Sequence, residues 1–150
     1  MQINMFEMKI CSVPENVGFA RLVVASFASQ LEYTLSDLEE LKVAVSEATA
    51  NAIMHGYDGA SDKFINIKCT LYKDHIEIII EDEGKGIADV SQAMQPAFTT
   101  DPERMGLGFV FIKSFTDSLK VLSTPGKGTR VVMVKKVSIQ AEEQVAATEH

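Results

Sequence analysis

Apolar residues recur at helical spacing through Leu38, Leu41, Val45, Ala48 and Ala52, and then, beyond Gly56, at period two through Ile65, Ile67, Cys69 and Leu71. The first pattern buries one stripe of a helix and the second buries one face of a strand, so the chain must stack helix on sheet. Polar Asn66, Lys68 and Thr70 occupy the alternate positions, which leaves the other face of that strand to solvent.

The remaining segments extend this order. Ile3 to Cys11, with Phe6, Met8 and Ile10 at period two, reads as a strand. Ser12-Val-Pro-Glu15 has the form of a capping box, opening a first helix that runs to about Leu31. Ser36-Asp-Leu-Glu39 repeats the device ahead of the second helix, with Gly56 as its C′ residue. Lys73-Asp74 marks a tight turn into a strand over Ile76 to Ile80, ending at Glu81-Asp82. Ala88 to Gln95 predicts a short helix, and Pro96 to Met105 a mobile loop without apolar period. Gly106 to Ser118 predicts a helix, and Leu119 to Ser123 and Val131 to Val137 a hairpin around Pro125-Gly126. The expected architecture is a two-layer α/β (α+β) sandwich, helices on one face of a mostly antiparallel sheet. It fits one domain over residues 1–137, followed by a polar, uncapped, disordered tail at 138–150.

Fourteen Lys and Arg against 21 Asp and Glu give a net charge of −7, without a basic stripe to neutralise phosphates, which disfavours direct nucleic-acid binding. Cys11 and Cys69 lack CxxC spacing and read as small, buried or half-buried apolar residues in a reducing compartment. No basic leader or membrane-length apolar run is present, so a cytoplasmic protein with no membrane partner is expected.

Several residues fit chemistry rather than packing. At about 100° per residue, Glu47 and Asn51 share one edge of the second helix within about 40°. An amide oxygen from Asn51 with nucleotide phosphates would complete a Mg²⁺ shell, and Glu47 one turn away would accept a proton; the alternative is a pair of boundary polar residues. Asp82, where a strand stops, would accept from an exocyclic amino group, with Gly84 and Gly86 letting backbone approach a flat ring; the alternative is a plain Gly-rich turn. Gly106 and Gly108 would open a helix whose free N–H groups favour phosphate, or form a simple loop-to-helix junction. Gly126-Lys-Gly128-Thr129 is not a Walker loop, because Gly follows the Lys and a strand follows the Thr. The protein-kinase signature set is missing, and His55, His75 and His150 lack ligand or triad spacing, His55 reading as a packed residue near the helix end.

Glu47-x-x-x-Asn51 ending in His55-Gly56-Tyr57, then Asp82-x-Gly84-x-Gly86, Gly106-x-Gly108 and Gly126-x-Gly128-Thr129, resembles in order the N, G1, G2 and G3 boxes of the GHKL ATPase and kinase superfamily. Val45 to Tyr57 together with Gln95 to Thr100 is similar to the anti-sigma factor serine kinases, nearest their sporulation branch. The resemblance implies a Bergerat ATP-binding fold in which adenine meets Asp82 and Thr129 and Asn51 holds Mg²⁺. Gly106 and Gly108 would line the phosphates beneath a lid over about residues 94–105, where Thr99 and Thr100 contact nucleotide and Arg104 either steadies the γ-phosphate or touches a partner. Glu47 matches the family's general base for serine phosphorylation. Arg21 matches a position used for protein partners, which are a sigma factor, an anti-anti-sigma substrate and a second copy in a homodimer. The lid, Thr99-Thr-Asp-Pro-Glu-Arg-Met-Gly106, is about two residues shorter than the family pattern. A general stress-response kinase with the same boxes and a non-catalytic, nucleotide-gated sigma-binding module are the alternatives.

Overall fold

Five strands form one sheet in the order β1-β2-β3-β5-β4, with antiparallel pairing at all four junctions. The computed structural model describes residues 1–94 and 102–138, the side chains of 102–106 excepted. The strands are β1 (Gln2–Cys11), β2 (Phe64–Tyr72), β3 (His75–Asp82), β4 (Ser118–Thr124) and β5 (Gly128–Lys136). The helices are α1 (Glu15–Ala28), α2 (Leu35–Asn51), the single turn α3 (Val90–Ala93) and α4 (Pro102–Phe115). Alternation in β2 and β3 turns Ile65, Ile67, Cys69, Leu71, Ile76, Ile78 and Ile80 inward, all at most 2% exposed. α2 lies in the middle of the helical layer, packed between α1 and α4.

This is the two-layer sandwich expected, with corrections at the ends of elements. α1 begins after Pro14 without a side-chain cap, because a proline already fixes the first φ and has no N–H to satisfy. Ser12 is fully buried and instead donates to the Ala60 carbonyl at 2.6 Å while accepting from the Lys63 N–H at 3.1 Å. α1 also stops at Ala28, short of Leu31. The capping box of α2 is Thr34 with Asp37, not Ser36 with Glu39: the Thr34 hydroxyl accepts from the Asp37 N–H at 3.0 Å and the Asp37 carboxylate from the Thr34 N–H at 3.3 Å. Cys69 is buried, and burial pushes its thiol pKa up. Cys11 is exposed, against expectation, because it lies on the outward face at the end of an edge strand.

A buried ammonium fastens the end of the layer opposite Asp82. Lys135 on β5, 6% exposed, donates to Glu40 of α2 at 3.0 Å and to the Phe115 carbonyl at the end of α4 at 2.8 Å. The charge is thus paired and also satisfies a helix-terminal carbonyl, which α4 would otherwise leave open. Tyr33 donates to the Lys135 carbonyl and accepts from the Ile76 N–H, and burial raises its pKa.

The capping geometry separates two substitutions. Thr34→Ala is expected to cost about 1 kcal/mol in urea unfolding, within the usual range for a lost N-cap, whereas Ser36→Ala leaves the midpoint within a few tenths of wild type.

Candidate functional site

β3 carries Asp82 at its last position, on the face turned toward the helices and only 8% exposed. Register places it directly opposite Thr129 of β5, so residues far apart in sequence become neighbours through strand pairing alone. The carboxylate accepts from the Gly84 N–H at 2.9 Å. Burial pushes its pKa up to about 6, against the opposing pull of backbone hydrogen bonds from Gly84 and Thr129.

The glycines around it serve a purpose that sequence did not reveal. A Cβ on Gly56 would lie 2.7 Å from Asp82 Oδ1, and one on Gly84 would collide with the Gly56 carbonyl. On Gly86, whose φ is +75°, a Cβ would strike the Thr124 carbonyl. What approaches Gly84 and Gly86 is therefore backbone rather than an open slot for a ring. Lys85 N–H donates to the Gly56 carbonyl at 2.9 Å, and Gly126 N–H to the Lys85 carbonyl at 2.7 Å, lacing the three segments together.

Two side chains to which the sequence reading gave no site role complete this lacing. Ser123 accepts from the Ile87 N–H at 2.7 Å, donates to the Gly128 carbonyl and lies 2.8 Å from Thr129 Oγ1. Tyr57 accepts from the Glu83 N–H at 2.7 Å and donates to the Phe64 carbonyl at 2.6 Å. Both are cross-element bonds, visible only once the strand register is known.

α2 supplies the other half of the site. Beyond Asn51 it continues as a wider π-helical turn, Ala52–Gly56, closed by Tyr57 N–H on the Ala52 carbonyl at 3.0 Å. This replaces the expected simple end at Gly56. Glu47 and Asn51 meet α4 at Gly108, where a Cβ would sit 3.0 Å from Glu47 Oε2 and 3.2 Å from Asn51 Nδ2. Gly106 and Gly108 lie inside α4, which starts at Pro102, rather than opening it. An amide as deep as Gly108 pairs within the helix, so that glycine acts by leaving room.

A cavity of about 800 Å³ opens there, lined among others by Glu47, Asn51, Lys85, Asp89, Gly108 and Phe111. Behind it a narrow recess of about 20 Å³ is walled by Ile80, Asp82, Phe109, Thr129 and Val131. The recess has room for one water, so its walls must part to admit a purine. Among the described residues no three His, Cys, Asp or Glu side chains gather at metal-binding spacing. Asn51 Nδ2 is buried without a hydrogen-bond partner. An N–H group cannot ligate a cation, but exchanging the two ends of this amide would offer one oxygen, which suits a cation that keeps its waters and takes its remaining oxygens from phosphates, as Mg²⁺ does.

The structure thus brings together Glu47, Asn51, Gly108, Gly86, Asp82 and Thr129. It also adds His55, which lines both spaces instead of serving only as a packed residue. Arg21 lies apart, exposed on α1, where Phe19 and Leu22 are exposed on another face. Thr99, Thr100 and the Arg104 side chain lie outside the described residues, as does most of the expected lid.

Asp82 also makes folding depend on pH. Its folded pKa lies above the unfolded value, so the native state holds the extra proton between about pH 4 and 6 and stability falls as pH rises through about 6. The full loss is roughly 2–3 kcal/mol. Asp82→Asn lacks this loss, and melts followed from pH 4 to pH 8 should show the variant at least as stable as wild type at pH 8.

Residues 10–135 match the family described as histidine kinase-like ATPase domain. The chain is 47% identical to an anti-sigma F factor of Oceanobacillus iheyensis, over 90% of this chain and 94% of that protein. It is 45% identical to an anti-sigma F factor of Clostridium novyi, over 91% and 97%. Among solved structures, the RsbU and RsbW domains of Rv1364c from Mycobacterium tuberculosis superpose with a TM-score of 0.64 at 14% identity, covering 89% of this chain and 32% of that one. A histidine kinase domain of Erythrobacter litoralis superposes with a TM-score of 0.58 at 17% identity, covering 84% and 63%, and both likenesses speak to the fold. Boxes, sheet topology and relatives agree that this chain belongs to the histidine kinase-like ATPase family, in the branch of the anti-sigma F factors.

Proposed function

We propose that the protein is an ATP-dependent serine kinase and anti-sigma factor: it binds a sporulation sigma factor when loaded with ATP and phosphorylates a serine of an anti-anti-sigma partner. The observation that carries this is the meeting of Glu47, Asn51 and Gly108 on one cavity that adjoins the Asp82–Thr129 recess. The names of the relatives supply the sigma factor as partner.

In this assignment Asp82 and Thr129 hold adenine, with the ionised carboxylate accepting from the exocyclic amine. The triphosphate extends into the wide cavity, and Asn51 turns its amide oxygen to Mg²⁺, which neutralises charge on the phosphate oxygens when bound. Glu47 takes the proton of the serine hydroxyl as the serine oxygen bonds to the γ-phosphorus and ADP departs. Gly108 is what lets α4 come this close, since a side chain there would displace the base. Thr99, Thr100 and Arg104 are assigned to the nucleotide by the resemblance of their motif alone, and Gly106, inside α4, is assigned to the phosphates on the same ground. Arg21, exposed on α1, gives the protein partner a charged contact.

The domain of residues 1–137 would act in the cytoplasm as a homodimer, without touching nucleic acid. Sedimentation of the nucleotide-loaded protein at twice the monomer mass is the expected outcome for the dimer.

Two substitutions test the chemistry. With Mg²⁺-ATP and the anti-anti-sigma protein, wild type should yield phosphoserine. Glu47→Ala should cut transfer by at least about 10²-fold while nucleotide affinity stays within a few-fold, since a general base contributes to the transition state. Transfer at wild-type rate would assign the proton to another group, whereas wild type that yields no phosphoserine would favour a nucleotide-gated module. Asp82→Asn should weaken ADP binding by about tenfold or more in calorimetry, because a stable fold loses an acceptor matched to the amine.

A further inference from the structure

Strand pairing sets three polar residues in one row across the sheet: Asp82 of β3 lies opposite Thr129 of β5, and Thr129 opposite Ser123 of β4. Directly opposed residues present their side chains on the same face of a sheet. Asp82 and Thr129 wall the recess, whereas Ser123 stands behind Thr129 and is not part of that wall. Asn51 and His55, the other polar side chains of the wall, also line the wide cavity and so stand on its side.

The protons in this row can be counted. Ser123 Oγ has three partners, the Ile87 N–H at 2.7 Å, the Gly128 carbonyl at 3.0 Å and Thr129 Oγ1 at 2.8 Å. A hydroxyl offers one proton and two lone pairs. The Ile87 N–H occupies one lone pair, and the carbonyl, which can only accept, takes the proton. What remains for Thr129 is a lone pair, so Thr129 is the donor in the bond between the two hydroxyls. Turning the Ser123 proton to Thr129 instead would give up the bond to the carbonyl of buried Gly128. Thr129 Oγ1 therefore presents lone pairs, not a proton, to the recess, and the ionised Asp82 beside it also only accepts. An exocyclic amine, with its two N–H donors, fits such a pair of acceptors. A keto oxygen in the same place meets lone pairs on both sides.

We propose that Ser123 is a positioning residue that sets base specificity: by drawing the Thr129 proton away from the recess, it makes the site select a 6-amino purine over a 6-keto purine. The assignment rests on the nucleotide-binding reading above and adds to it the group that discriminates between the two bases.

The test is displacement of a fluorescent ADP analogue from the partner-free protein by ADP and by inosine diphosphate, which carries a keto oxygen at position 6 and the N1 proton that goes with it. At about pH 8 Asp82 is ionised, and wild type should prefer ADP by at least about tenfold. Ser123→Ala frees the Thr129 hydroxyl to donate to the keto oxygen, so the ratio of the two affinities is expected to fall by about five- to tenfold, the usual effect of one hydrogen bond gained. Loss of the Ile87 and Gly128 bonds weakens both nucleotides alike and cancels in the ratio. Ser123→Thr keeps the hydroxyl and should keep the wild-type ratio. Ser123→Cys, whose sulfur is a weak acceptor, should lower the ratio and carries the test if the alanine variant fails to fold. An unchanged ratio in the variant that folds would overturn the assignment and leave Ser123 a brace for the loop alone, and wild-type protein that binds the two nucleotides equally would overturn it too. Wild-type protein that binds neither would overturn the nucleotide reading as well.

Discussion

A carboxylate buried at the end of a strand sets the terms for everything near it. Asp82 sits between the π-helical turn, the loop after β3 and the first residues of β5, and each of these approaches so closely that glycine is required. Gly56 leaves the carboxylate its space, and Gly84 lets the loop rest on the Gly56 carbonyl. Burying a charge with only backbone donors is costly, and the rise in its pKa measures that cost. A chain selected for stability alone would put an amide or an apolar residue there.

The helical layer aligns Glu47 and Asn51 with this anchor. α2 holds Glu47 and Asn51 one turn apart on the edge facing α4, and the π-helical turn carries the same helix into contact with Asp82. Packing against both α1 and α4, with Lys135 and Glu40 fastening its other end, keeps α2 from sliding along the sheet. A rigid helix that touches the recess at one point and the wide cavity at another fixes the distance between them, as alignment-dependent chemistry requires.

Much of this was legible in the sequence, and the failures share a physical cause. Periodicity located every strand and the long helices, because burial of one face is a local signal. It mislaid the capping boxes: Thr34-x-x-Asp37 and Ser36-x-x-Glu39 fit the same pattern two residues apart, and only hydrogen-bond geometry chooses between them. Ser12 was drawn away from α1 by Ala60 and Lys63, partners more than forty residues distant. The π-helical turn leaves no trace in a hydrophobic pattern, since it inserts one residue's worth of rotation at a place already ending in glycine. Among the site residues, the boxes gave Glu47, Asn51, Asp82 and Thr129. Ser123 was missed because its role is a bond across the sheet register; Tyr57 and His55 stand at the end of the first box but received no place in the site, because what they face lies on other elements.

The closed recess and the charged Asp82 belong together. A carboxylate that is ionised at neutral pH, shielded from water and matched to two backbone donors still has unused acceptor capacity. A ligand amine in the recess would satisfy that capacity, and parting Phe109, Ile80 and Val131 would cost some of the apolar contact that now closes the space. Ligand binding therefore exchanges one defect for another, which lets affinity be moderate while selectivity for an amino-bearing base is high. Because only the folded chain presents this arrangement, an occupied recess also holds the domain against unfolding in proportion to ligand concentration over its dissociation constant.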